Sequence, residues 1–366
     1  MRTRISLIVF GAVVLSAGAV AACAQPAVAP PSVEPKPEGY RLQPGPWRVE
    51  RRSFTLRDES REKDLRVVVR FPEVPAAEQA GDAPKHGAPK FPLVLFSHGM
   101  GGSGEAFPSL SEHLASHGYV VVHPTHDDSI SLQRNRGEAV RGILRDPKAY
   151  RSRVDPVGRV DDLKFLIDQI GAIERESGMR GRIDAERIGV AGHSAGAMTT
   201  QLMIGTRARG VRLGGGRALE LHGIGDDRVD AGVVISGQGT TSRMFTRDSW
   251  EGIKVPMLVI AGSNDTTPAS PETPESRRHP FEYSRGTEAG GPPAYLLYIR
   301  GAYHSSYGGG QADSPEDGRM IVECTHAATL ALFDAYLKEE PAAREFLKSD
   351  AGLLRLSADR AEFRAK

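Results

Sequence analysis

Short runs of consecutive apolar residues recur along most of the chain, and segments with helical periodicity separate many of them. Such runs, rich in Val, Ile and Leu, are typical of strands buried on both faces of a parallel sheet. The alternation therefore predicts a mainly parallel central sheet with helices on both faces. The predicted strands are 91–96, 119–122, 187–191, 231–235, 256–261 and 294–299, and the predicted helices are 105–116, 160–173, 198–204 and 318–338.

Two earlier segments, 47–57 and 65–71, alternate apolar and polar residues, which predicts an antiparallel pair of strands. Residues 75–89 contain Ala, Glu, Gly, Lys and Pro and are predicted to form a solvated loop. The sequence has no internal repeat. We therefore expect a single α/β domain over residues 47–366.

The strand predicted at 187–191 runs directly into Gly192-His193-Ser194-Ala195-Gly196, and an apolar helical segment follows. Strand, tight turn and helix around Gly-x-Ser-x-Gly are the context of a nucleophile elbow. With 41 glycines in 366 residues, the motif alone also arises by chance. Ser194 is therefore a candidate nucleophile whose assignment depends on the residues that accompany it.

Two further reactive side chains follow predicted strands, Asp265 after 256–261 and His304 after 294–299. A serine hydroxyl needs a base to become nucleophilic, and the base needs a carboxylate to orient it. The order Ser194, Asp265, His304 is the order of an α/β-hydrolase triad. Asp248 is the alternative acid, but it lies 13 residues beyond its strand, where a helix N-cap role explains it.

A glycine-rich loop, His98-Gly99-Met100-Gly101-Gly102, follows the strand at 91–96. Such a loop can direct a backbone N–H at a developing oxyanion. The two expected donors are the N–H groups of Met100 and Ala195. A phosphate-binding loop is the alternative, but no Lys-Ser/Thr follows these glycines.

These motifs together resemble the α/β-hydrolase family, and within it the bacterial hydrolases related to platelet-activating-factor acetylhydrolase, often described as dienelactone hydrolase-like. The segments that carry the resemblance are 95–102, 189–197, 248–250 with 253–256, and 301–304. It extends over roughly residues 47–338. It implies cofactor-free hydrolysis of carboxylic esters, often with short or modified acyl groups. Dienelactone hydrolases themselves use a cysteine nucleophile, so Ser194 argues against that activity.

Two features between the strand at 119–122 and the helix at 160–173 have open interpretations. His123, His126, Asp127 and Asp128 could suggest a metal site, but their spacing matches no metal signature and we expect no metal. The arginine-rich stretch 127–159 lies where hydrolases carry lids, and it is either a lid or a solvated insertion.

The N-terminus has Arg2 and Arg4 before an apolar run, which is typical of a signal peptide over residues 1–22. Val20-Ala21-Ala22-Cys23 resembles a bacterial lipobox, so Cys23 is the predicted lipidation site. A plain signal peptide cleaved at Ala22-Cys23-Ala24 and a retained membrane anchor are the alternatives. Residues 23–46 are rich in Pro and Ala and are predicted to form a tether.

The composition is that of an ordinary globular protein, 39% hydrophobic and 25% charged. The net charge of +1 gives no reason to expect a nucleic-acid partner. With only Cys23 and Cys324 present, no disulfide framework is expected. Cys324 lies in a helical pattern and is predicted to be a buried apolar residue.

The sequence therefore predicts an exported serine esterase, periplasmic or at the cell surface, that touches the membrane through a lipid anchor. Its predicted substrate is a small or lipid-like ester, and no cofactor is expected. Two alternatives remain open: a serine peptidase or amidase on the same fold, and a non-catalytic surface-binding lipoprotein.

Overall fold

A large sheet lies at the centre of the fold. The computed structural model describes residues 40–74, 88–137, 153–211, 219–242, 244–268 and 270–366. All described residues fall in one compact unit. The predicted signal peptide, Cys23 and most of the predicted tether lie outside these residues. So do the loop at 75–87 and residues 138–152 of the predicted lid.

The strands found in these ranges are β1 (Val49–Asp58), β2 (Lys63–Pro72), β3 (Phe91–Ser97), β4 (Val120–Thr125), β5 (Ile183–His193), β6 (Ala208–Val211), β7 (Leu219–Leu221), β8 (Val229–Ile235), β9 (Met257–Asn264), β10 (Ala294–Tyr303) and β11 (Ala361–Ala365). The α-helices, numbered over the same ranges, are α1 (Pro108–Ser116), α2 (Ile130–Asn135), α3 (Pro156–Asp168), α4 (Ile170–Ser177), α5 (Ala195–Met203), α6 (His279–Tyr283), α7 (Pro315–Tyr336), α8 (Pro341–Leu347) and α9 (Ala351–Leu356).

Within the described residues, nine strands form the main sheet in the order β1-β2-β4-β3-β5-β8-β9-β10-β11. Every pair from β4 through β10 is parallel, whereas β1, β2 and β11 pair antiparallel at the two ends. The carboxyl ends of the parallel strands share one edge, and loops after β3, β5, β8, β9 and β10 meet there. The predicted α/β-hydrolase fold is confirmed.

The core lies on both faces of this sheet because successive strand residues point to opposite sides. In β9, Met257 and Val259 pack on one face with α3 and α5, while Leu258 and Ile260 pack on the other face with α1 and α7. This two-sided burial explains why the strands appear in sequence as unbroken apolar runs. Cys324 of α7 is buried with a free thiol, as predicted.

Two predicted helices begin at different residues from those expected. The helix expected from Glu105 begins at Pro108, because a proline at the first helical position disfavours helical geometry in the residue before it. The helix expected from Val160 begins at Pro156, where the Asp155 side chain accepts a hydrogen bond from the Gly158 N–H. It also divides into α3 and α4 at Gln169.

The end of the chain continues beyond the last predicted helix. After α7, helices α8 and α9 lead to β11, which pairs antiparallel with β10 from Ala361↔Ile299 to Ala365↔Tyr295. A five-residue strand with polar residues among its apolar ones gives too weak a pattern to be predicted alone.

Residues 40–46, the last part of the predicted tether, lie against the domain. The Tyr40 hydroxyl donates to Asp334 Oδ2 at 2.8 Å, and the Arg41 guanidinium lies 3.0 Å from the same oxygen. The Gly45 N–H donates to Ser116 Oγ at 2.9 Å. In the described ranges, no helix combines the length and apolar character needed to cross a membrane.

Candidate active site

Ser194 lies at the sharp turn between β5 and α5. Its backbone has φ 56° and ψ −116°, a conformation that L-residues rarely adopt. A Cβ on Gly196 would lie 1.8 Å from the Ser97 carbonyl oxygen, and one on Gly192 would lie 2.2 Å from the Gly196 carbonyl oxygen. Both glycines of the motif are therefore required by the close packing of this turn.

The structure brings Ser194, His304 and Asp265 together at the carboxyl edge of the sheet. Ser194 Oγ lies 2.9 Å from His304 Nε2, and His304 Nδ1 lies 2.9 Å from Asp265 Oδ1. Asp265 is fully buried, while Ser194 and His304 are half-buried. The three residues thus form a hydrogen-bonded chain that ends at the hydroxyl of the half-buried Ser194.

The Asp265 carboxylate receives donors that the sequence analysis did not identify. Ser236 Oγ donates to Oδ1 at 2.8 Å, Tyr307 OH donates to Oδ2 at 2.8 Å, and Arg277 Nε lies 2.8 Å from Oδ1. Burial alone would raise the pKa of Asp265, but the hydrogen bond from His304 and the Arg277 charge outweigh it and lower that pKa. The carboxylate therefore stays ionised behind His304.

Asp248, the alternative acid, lies away from this chain. It is in a short 3-10 helix, Arg247–Gly252, and its carboxylate pairs with Arg209 at 2.8 Å. The expectation that Asp248 caps this helix is wrong: Thr246 is the N-cap, and it forms a capping box with Ser249. The structure therefore places Asp265, and not Asp248, beside His304.

The loop predicted to hold the oxyanion lies next to Ser194. A Cβ on Gly99 would lie 3.5 Å from the Ser194 Cβ, and Met100 and Ala195 are buried in one small apolar cluster with Ile130. The Ala195 N–H is the first of helix α5, so it has no acceptor within the helix. Both predicted donor residues thus lie beside Ser194.

His98 fixes the direction of the Met100 N–H. The His98 ring bonds the Gly99 carbonyl oxygen through Nδ1 at 2.5 Å and accepts the His126 N–H at Nε2 at 3.1 Å. Burial, aided by the Arg159 charge, holds the pKa of His98 well below its ordinary value, so the ring is neutral. Because C=O and N–H of one peptide point in opposite directions, anchoring the Gly99 oxygen directs the Met100 N–H away from the ring.

A buried network of hydrogen bonds and an ion pair holds the loop at 98–102 in place. Ser97 Oγ lies 2.9 Å from His126 Nε2, and His126 Nδ1 lies 2.8 Å from Asp162 Oδ2. The Arg159 guanidinium holds Asp128 in a two-point ion pair and donates to the His98 carbonyl oxygen at 2.6 Å. These hydrogen bonds join a serine, a histidine and an aspartate in the same order as in a catalytic triad: Ser97, His126 and Asp162. All three side chains are buried, so they do not contact a substrate and instead hold the loop in position.

The residues considered for a metal site take part in separate interactions. His123 Nε2 lies 2.7 Å from Ser111 Oγ, whereas His126 and Asp128 belong to the network under the loop. Among the described residues, no three His, Cys, Asp or Glu side chains are arranged to hold a metal ion. Of the stretch 127–159, residues 127–137 and 153–159 are described and include α2 and the ion pair of Arg159, and the lid and the solvated insertion both stay predictions.

The residues that the sequence analysis missed differ in whether a local signal marks them. Ser236 directly follows the predicted strand at 231–235 and Tyr307 lies three residues after His304, so strand-end position was an available signal for both. Arg277 lies in a 3-10 helix between β9 and β10, and no local motif marks it.

The strand order and the strained serine turn are those of an α/β-hydrolase fold, and the hydrogen-bonded Ser194, His304 and Asp265 lie where that fold carries its triad. The family model described as platelet-activating factor acetylhydrolase, isoform II, matches residues 63–136. The matched segment extends from β2 through α2 and includes the loop at 98–102. The predicted resemblance to platelet-activating-factor acetylhydrolase-like α/β-hydrolases is confirmed. A search of curated proteins gave no match.

Proposed function

We propose that the protein is an exported serine hydrolase that cleaves carboxylic esters through an acyl-enzyme intermediate. The observation that carries the proposal is the unbroken chain from Ser194 Oγ through His304 to the buried Asp265 carboxylate. Ser194, at one end of these hydrogen bonds, has a strained backbone with φ 56°. A turn that presents a nucleophile to a substrate explains why the fold tolerates this strain. The matching family model is named for an acetylhydrolase, which favours an ester substrate.

In the proposed acylation step, Ser194 Oγ attacks the ester carbonyl carbon while His304 Nε2 takes the hydroxyl proton. The Met100 and Ala195 N–H groups receive the negative charge that develops on the carbonyl oxygen. When the tetrahedral intermediate collapses, the alcohol leaves and takes the proton from His304. Asp265 stabilises the imidazolium throughout.

In the proposed deacylation step, a water molecule attacks the acyl group on Ser194, and His304 accepts one proton of that water. The second tetrahedral intermediate releases the acid and returns the proton to Ser194 Oγ. Side chains and backbone donors of this chain supply every group that the two steps require, so we propose a cofactor-independent reaction.

Two assays test this proposal against the two alternatives. We expect a fluorophosphonate to label the protein, and we expect p-nitrophenyl esters to be cleaved much faster than the matching p-nitroanilides. Faster cleavage of the anilides would favour a peptidase or amidase. A protein that neither reacts with the phosphonate nor cleaves either substrate would be a non-catalytic binding protein.

We further propose that Cys23 is lipidated and that residues 23–39 hold the domain near a membrane, in the periplasm or at the cell surface. The proposal rests on Val20-Ala21-Ala22-Cys23 and on the Pro- and Ala-rich segment after it. Mass spectrometry of the mature N-terminus decides it, with a diacylated or triacylated Cys23 expected. An unmodified N-terminus at Gln25 would indicate plain export.

A further inference from the structure

Ser236 lies at the centre of the catalytic hydrogen bonds although no sequence motif includes it. It directly follows β8, the strand between the Ser194 strand and the Asp265 strand, and its side chain is fully buried. Ser236 Oγ lies 2.7 Å from His304 Nδ1 and 2.8 Å from Asp265 Oδ1. These three polar atoms form a closed triangle, because His304 Nδ1 also lies 2.9 Å from Asp265 Oδ1.

The donors and acceptors in this triangle can be assigned. Asp265 is ionised and can only accept, so the Ser236 hydroxyl proton goes to Oδ1. The lone pairs of Ser236 Oγ then face His304 Nδ1, whose proton has two acceptors, one on Ser236 and one on Asp265. Two acceptors at Nδ1 keep the proton there and leave Nε2 free to accept the proton of Ser194.

The backbone at Ser236 is strained in a way that this contact explains. Its φ is 53°, in the left-handed region that serine rarely occupies. The Ser236 N–H donates to the Ile260 carbonyl oxygen at 2.7 Å, and the Arg277 guanidinium donates to the Ser236 carbonyl oxygen at 2.8 Å. The same Arg277 lies 2.8 Å from Asp265 Oδ1, so one buried cation holds both the strained residue and the acid.

We infer that Ser236 is a positioning residue that fixes the tautomer and orientation of His304 together with Asp265. A serine in ordinary strand geometry at this point would direct its side chain elsewhere, which gives the strained backbone a functional reason. The inference rests on the proposed serine-hydrolase function, since it concerns the base of that reaction.

Two substitutions separate the hydroxyl from the backbone strain. Ser236→Ala removes the hydroxyl and keeps a Cβ in the left-handed region, whereas Ser236→Gly removes the hydroxyl and suits that region. We expect both variants to lose about ten- to hundredfold in kcat with a p-nitrophenyl ester, as for a hydrogen bond to a charged group, with KM nearly unchanged. We expect Ser236→Gly to melt no lower than the wild-type protein.

A double-variant comparison provides a measurement that a purely structural serine would not alter. Residues that act as one unit have non-additive effects. In an Asp265→Asn background, where control of the His304 tautomer is already lost, we therefore expect Ser236→Gly to lower kcat by less than about threefold. Ser177→Ala is the matched control, because that buried hydroxyl donates to the Ile173 carbonyl oxygen at the end of α4, away from the site. It should leave kcat and KM unchanged.

The inference is overturned if Ser236→Gly retains full kcat, or if it lowers kcat by the same factor in both backgrounds. If the proposed serine-hydrolase function is wrong, the measurements differ: the wild-type protein does not cleave the ester, or Ser194→Ala still cleaves it. Wild-type activity that requires Ser194 but is indifferent to Ser236 refutes only the role of Ser236.

Discussion

Replacement of Ser194 by alanine is expected to lower kcat for ester hydrolysis by about 10⁶-fold, the full contribution of a serine triad. In the proposed mechanism, Ser194 Oγ is the atom that attacks the ester, and it lies 2.9 Å from the proposed base, His304 Nε2. Without it, His304 and the N–H groups of Met100 and Ala195 remain, and they support only the slow direct attack of water. Steady-state kinetics with a p-nitrophenyl ester measure this loss.

The fold should survive this substitution. Alanine also carries a Cβ, so the strain at φ 56° is the same as in the serine protein. The melting temperature should therefore stay within about 2 °C of the wild-type value. Labelling by a fluorophosphonate should disappear in Ser194→Ala and persist in the Ser177→Ala control. Undiminished hydrolysis by a folded Ser194→Ala protein would rule out the proposed mechanism.

Replacement of Asp265 by asparagine is expected to lower kcat by about 10⁴-fold. Asparagine has nearly the same shape, but its amide has no charge to stabilise the imidazolium and can donate to Nδ1. Donation to Nδ1 favours the tautomer with the proton on Nε2, which cannot accept the proton of Ser194. It also leaves the buried Arg277 without its carboxylate partner, so some loss of stability accompanies the loss of rate.

Asp248→Asn provides the matched control for this prediction. The Asp248 side chain is exposed, and its ion pair with Arg209 is at the surface, where solvent screens the charges and the pair adds little to folding. We expect kcat of Asp248→Asn to equal that of the wild-type protein and its melting temperature to fall slightly. An inactive Asp248→Asn protein together with a fully active Asp265→Asn protein would reverse the assignment of the acid.

Much of the fold and the three candidate triad residues could be predicted from the sequence because their signals are local. A strand segment buried on both faces is apolar, so β3, β4, β5, β8, β9 and β10 each contain an apolar run that is visible in the sequence. The turn at Ser194 requires glycine two residues before and after it, since the Gly196 position contacts the Ser97 carbonyl oxygen. Asp265 and His304 each follow a strand closely, and parallel strands end at one edge.

The surroundings of the site depend on contacts between distant segments, which no local pattern records. Arg277 is 12 residues from Asp265 and 41 from Ser236 along the chain, yet it holds both. The hydrogen bond between His126 and Asp162 spans 36 residues and joins the end of β4 to α3 under the loop at 98–102.

The sequence by itself therefore determined the layered sheet, the strained serine turn and the order of serine, acid and histidine. Only the tertiary structure decided which aspartate faces His304, which groups keep that aspartate ionised, and how the Met100 N–H is directed. The reason is physical: strand burial and turn geometry depend on neighbouring residues, whereas the charge and hydrogen bonds at one atom depend on whichever segments the fold brings within 3 Å of it.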